Sequence, residues 1–116
     1  MRRRTGFSPS VRQQLEQRSG GVCEICGISA AEQAHHRRPR GAGGTRRSET
    51  NYPSNALMLC ASCHLIVEKH RSDSYQHGWV VRQQGDPAEV PVRYRDGLAY
   101  LLTDDGGMSR YTEEEL

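Results

Sequence analysis

With 116 residues, 34% of them hydrophobic and only one Phe and one Trp, the chain suits a single small domain with a thin core. Sixteen Lys and Arg against fourteen Asp and Glu leave a net charge of +2, so any electrostatic role must rest on where the charges lie. No apolar run approaches the ~20 residues of a membrane helix, and MRRRTGF has no apolar stretch behind its charges. The composition therefore argues against a membrane span or a secretory signal, and for a soluble, cytoplasmic protein.

Residues 1–7 read as a flexible basic arm carrying Arg2, Arg3 and Arg4. Ser8 and Pro9 form an N-cap and first helical position, opening a helix through Arg18 with Val11 and Leu15 on one face; Gly20 and Gly21 stop it. Cys23 to Gly27 is a knuckle, with Gly27 suited to a positive φ. Glu32 to Pro39 is a candidate strand, and Gly41 to Asn55 a polar loop without periodicity. Ala56 to Leu59 is a second short strand. Ala61 to about Gln76 has the spacing of one helix, ended by Gly78. Trp79–Val81, Val90–Val92 and Leu98–Thr103 then read as short strands, and 113–116 as an acidic tail.

Two Cys-x-x-Cys pairs, Cys23/Cys26 and Cys60/Cys63, bracket the His35–His36 doublet, and the second pair runs into His64. In a reducing compartment such pairs point to metal more than to disulfides, and no βαβ pattern supports a redox pair. Four thiolates suit a closed tetrahedral zinc site, worth on the order of 10 kcal/mol or more to a small fold. His35, His36 and His64 would lie near that anchor, able to bind a second metal or move a proton.

Charge is split along the chain. Residues 1–47 hold ten arginines against three acids, whereas the remainder holds six basic and eleven acidic residues. Fifteen of the sixteen cations are Arg, the side chain best shaped for bidentate phosphate contact. The asymmetry suggests a nucleic-acid face in the N-terminal half, with a solvated basic surface as the plain alternative.

Strand, loop, strand and helix follow in that order around these residues: Cys23-x-x-Cys26, AHHRRPRG from Ala34 to Gly41, Gly43-Gly44, Asn55, and Leu59-Cys60-x-x-Cys63-His64. The set resembles the HNH endonucleases. The resemblance implies a small α+β fold: a ββα-metal (His-Me finger) core with structural zinc, an N-terminal helix and a β-rich C-terminal extension. The zinc-braced core would span 8–78, with 79–112 an extension of the same domain. The chain looks most like small phage and prophage members that occur near DNA-packaging genes, so DNA and packaging (terminase) proteins are the implied partners. A monomer or weak dimer is left open.

The implied reaction is metal-dependent hydrolysis of DNA phosphodiester bonds to 5′-phosphate and 3′-hydroxyl ends. His36 would be the general base that activates water, and His35 and His64 ligands of one catalytic divalent ion (Mg2+, Mn2+, Ni2+ or Zn2+). Alternation along a strand supports giving the doublet two roles. Many relatives carry a second histidine four residues after the first on this helix. Here that position is Glu68, either a third ligand or the partner of Arg71 or Arg12 in a surface ion pair. Asn55 would tether the loop between the strands. Arg37, Arg38, Arg40, Arg46 and Arg47 are candidate DNA contacts, with Arg38 or Arg40 the phosphate clamp at the cut. His70 and His77 read as bystanders. The rival reading is a zinc-stabilised DNA-binding or assembly module without nuclease activity.

Overall fold

The computed structural model describes residues 6–39 and 48–112. The basic arm Arg2–Arg4, the loop residues Arg40, Gly41, Gly43, Gly44, Arg46 and Arg47, and the tail Glu113–Glu115 lie outside them. Among the described residues no helix is long and apolar enough to cross a membrane.

Helix α1 spans Pro9–Ser19. Ser8 Oγ accepts from the Val11 N–H at 3.2 Å, Pro9 occupies the first turn, and Gly20 ends the helix at φ 67°. The helix packs Leu15 with Phe7 and Ala56 into a small cluster that Val11, Ala34 and Met58 flank. Gly27, directly after Cys26 in the following knuckle, has φ 67°.

Strand β1 is Gln33–His36, shorter at both ends than the sequence suggests, and β2 is Ala56–Leu59. They pair antiparallel with His35 opposite Leu57 and His36 opposite Ala56. The period-2 alternation divides the sheet. Leu57 and Leu59 face the main core with Cys23, Val67, Val80 and Val92, while Ala56 and Met58 face α1. The loop between the strands is not wholly irregular: 3-10 turns occupy Ser48–Asn51 and Pro53–Asn55.

The long helix expected after Cys60 is two helices, α2 at Ala61–Lys69 and α3 at Arg71–Gln76. The chain breaks at His70 (φ −110°, ψ 67°). Ser74 Oγ donates to the Val67 and His70 carbonyls at 3.0 and 2.8 Å, tying the first turn of α3 back to the end of α2.

Trp79–Val81 is not a strand. Its amides donate to the Ser74 and Arg37 carbonyls, so Val80 and Val81 are buried without a ladder. Gly78 before it takes φ 72°, and a Cβ there would lie 1.9 Å from the Pro91 carbonyl oxygen, so only glycine fits. Around the expected Val90–Val92 strand, Pro87–Glu89 is a 3-10 turn and only Val92–Arg93 pairs, because Pro91 has no N–H to donate. Strands β3 (Val92–Arg93), β4 (Ala99–Leu102) and β5 (Met108–Arg110) form an antiparallel sheet in that order. Val92, Tyr94 and Leu102 join the cluster that holds Cys23, Cys60 and Cys63, so residues 79–112 share the core of the rest. The described chain is thus a small α+β fold.

Candidate functional site

Cys60 precedes α2 and Cys63 lies in its first turn, while Cys23 and Cys26 come from the knuckle. The four sulfur atoms lie within 4.8 Å of one another as free thiols. Cys23, Cys60 and Cys63 are buried and Cys26 half-buried. The Ser29 and Ile28 amides draw the Cys26 thiol down to about 6, whereas burial pushes Cys63 up. The two shifts run in opposite directions because Cys26 accepts backbone amides while Cys63 is desolvated; a divalent cation bound here would favour the thiolate form of the cysteines. Four sulfur donors at this spacing could hold a metal ion such as zinc, and they leave no open position.

A second donor set sits between β1 and α2. One atom each from His35, His64 and Glu68 lies within 4.8 Å of the others. His35 is buried, and its Nε2 donates to the Trp79 carbonyl at 2.8 Å, which leaves the lone pair on Nδ1, 3.8 Å from Glu68 Oε1. Burial pulls His35 down to about 4, with the Trp79 carbonyl opposing, so the ring is neutral near pH 7. His64 Nδ1 bonds the Gln33 side-chain oxygen, which fixes the other tautomer and turns Nε2 toward Glu68 Oε1 at 3.6 Å. Glu68 Oε1 faces the two imidazoles while Oε2 accepts from Arg71 at 3.2 Å, the ion pair foreseen for it. His64 and Glu68 are 29% and 50% exposed, so this set opens to solvent where the cysteines do not. The hollow over it, about 440 Å3, is lined by Ala34, Pro39 and Arg71 as well as His35, His36, His64 and Glu68.

His36 faces the other side of the strand. Its ring stacks on Phe7 with centroids 4.2 Å apart and 15° between planes, and Nε2 lies 2.9 Å from Asn51 Oδ1. An amide oxygen only accepts, so Nε2 carries the proton and Nδ1 the lone pair. Asn55 is fully buried. Its Oδ1 accepts from the Arg38 N–H at 2.7 Å, and its Nδ2 donates to the Thr50 and Arg38 carbonyls at 2.8 and 3.2 Å. It therefore ties the end of β1 to the turn that carries Asn51.

Two expected DNA contacts require correction. Arg37 is fully buried, and its guanidinium donates to the carbonyls of Gly78, Ser54, Pro87 and Val90 at 2.7–2.9 Å. Burial lowers it to about 9, and it reaches no surface phosphate. Arg38 is 5% exposed and turns away from the histidines, bonding the Gly85 carbonyl at 2.7 Å and Glu49 at 3.5 Å. It is a brace between loops in this arrangement and not a clamp at the His35–His64 hollow. Arg40, Arg46 and Arg47 lie outside the described residues. His70 lies at the helix break and His77 stacks on Trp79, both away from the hollow.

Gln33, Asn51 and Phe7 were not singled out from the sequence, and Arg71 only as a possible ion-pair partner of Glu68. Gln33 had a readable signal, lying two residues before His35 on the same strand face. Comparison of the chain with protein-family models, with curated proteins and with solved structures returned no match.

Proposed function

We propose that the chain is a divalent-metal-dependent endonuclease of the HNH, ββα-metal type that hydrolyses DNA phosphodiester bonds, with zinc held by Cys23, Cys26, Cys60 and Cys63 as its brace. The observation that carries the reading is the convergence of the His35 and His64 lone pairs with the Glu68 carboxylate in an open hollow that His36 also borders. These donors suit a hard or borderline divalent ion. When bound there, such an ion would polarise the scissile phosphate and offset charge on the leaving 3′ oxygen.

The rest of the chemistry falls to the chain. His36 takes the proton of the attacking water on Nδ1, because Asn51 holds Nε2–H and the Phe7 ring fixes the imidazole plane. Asn55 keeps Asn51 in register by holding the adjoining Thr50 carbonyl and the chain leaving β1. Gln33 and the Trp79 carbonyl hold His64 and His35 in the tautomers that a metal needs. Attack by water on phosphorus with departure of the 3′ oxygen leaves 5′-phosphate and 3′-hydroxyl ends.

Supercoiled plasmid incubated with Mg2+, Mn2+ or Ni2+ tests the reading. Nicked circles that DNA ligase reseals are the expected product, and His36→Ala should give none while still binding DNA. Binding without nicking under all three ions would support the non-catalytic module instead.

A further inference from the structure

We infer that the DNA backbone leaves the candidate site across α3, on a strip made by Arg71, Tyr75 and Arg82. The inference rests on the nucleic-acid reading above, but not on cleavage. Arg71 is the one arginine among the described residues that lines the His35–His64–Glu68 hollow, and its guanidinium is held by Glu68 Oε2 at 3.2 Å. Tyr75 follows one helical turn later on the same face. Its ring carries two guanidinium groups, one from α3 and one from beyond it: Arg71 with its central carbon 5.8 Å from the ring centroid, and Arg82 at 4.1 Å. Arg82 is exposed, and with Tyr75 it borders a second hollow of about 380 Å3 floored by Val80, Val81 and Val90.

Two cations are thus ordered by one ring, with the first inside the site and the second outside it. Ordering matters because a free arginine loses rotamer freedom when it grips a phosphate, and a stacked one has already lost part of it. Solvated arginines on a bland surface have no reason to share a ring with each other or a carboxylate with a metal-type site. The fit is to successive phosphates of one strand, contacts that fix position without reading sequence. This strip takes the role that Arg37 and Arg38, buried as braces, cannot fill.

Anisotropy of a short labelled DNA duplex, titrated with zinc-loaded protein over a range of KCl and without other divalent ions, tests it. Removing one phosphate contact lowers the salt slope by about 0.9, so Arg71→Gln and Arg82→Gln should each flatten it by about 1. A fourfold rise in salt should then cost the wild type about tenfold more affinity than the double variant. Tyr75→Leu keeps both charges, so its slope should stay near wild type while its affinity falls. Arg110→Gln, on β5, removes an exposed arginine outside the strip and should leave the double-variant effect unmatched. An unchanged slope in the double variant, an equal flattening in Arg110→Gln, or no binding by the wild type overturns the strip. Parallel plasmid assays separate the two readings. Strip-dependent binding without nicking retires the nuclease and keeps the strip; His36-dependent nicking with an unchanged slope does the reverse.

Discussion

Two sets of metal-type donors meet at the start of α2, built on opposite plans. Cys60 and Cys63 face inward with Cys23 into the main core, and the set closes on itself. His64, the very next residue, points outward to a half-exposed carboxylate and an open hollow. A single residue step thus separates a position that can only hold structure from one that can exchange ligands. Exposure and the number of donors, more than closeness in sequence, decide which set can do chemistry.

The contrast breaks most severely at the cysteines. Cys60→Ser should cost most of the zinc-binding energy, on the order of 10 kcal/mol, and leave no cooperative thermal transition. A folded, zinc-free Cys60→Ser protein would make the thiols incidental. His36→Ala should lower nicking by about 10²–10⁴-fold with an unaltered melting temperature, since its ring meets solvent and the small Phe7 cluster, not the main core. A comparable loss of stability would make His36 a packing residue.

His35 joins the two sides of the contrast, because it is a buried group that serves the open set. Its ordinary value of 6.5 falls to about 4 in the fold. Between those values the unfolded chain binds a proton that the folded chain does not. Stability is therefore complete above about pH 6.5 and falls as pH drops toward 4, by about 3 kcal/mol in all. Urea midpoints followed against pH without added divalent ion should show this acid-side slope in the wild type and lose it in His35→Gln. The smallest effect is expected at Asn51. Asn51→Ala removes one neutral hydrogen bond, so nicking should fall by up to about tenfold, with the acid limb of the pH–rate profile displaced and DNA affinity kept. A profile that does not move would leave Asn51 a turn residue only.

Much of this arrangement could be read from the chain because it is local. The Ser8–Pro9 cap, the Ala56–Leu59 run, the cysteine pairs and the alternation that sends His35 and His36 to opposite faces all depend on neighbours within a few residues. What could not be read is decided at long range. Arginine at 37 and 38 reads as surface charge until carbonyls at 78, 85, 87 and 90 are known to surround it. The break at His70 escapes notice because Ser74, an ordinary helix-surface residue by pattern, turns its hydroxyl back onto Val67. Trp79–Val81 has β-type residues, yet its amides are claimed by a helix end and by Arg37, so propensity yields to tertiary bonding.

The buried Arg37 guanidinium also sets an order of events during synthesis. It immediately follows His36, yet the four carbonyls that hold it end at Val90. A growing chain that has made β1 and β2, all four cysteines and every histidine still lacks three of the four acceptors that keep the end of β1 in place. The half that carries the candidate site is therefore completed by the C-terminal half, and a nascent chain passes through most of its length before the end of β1 is held as in the finished fold.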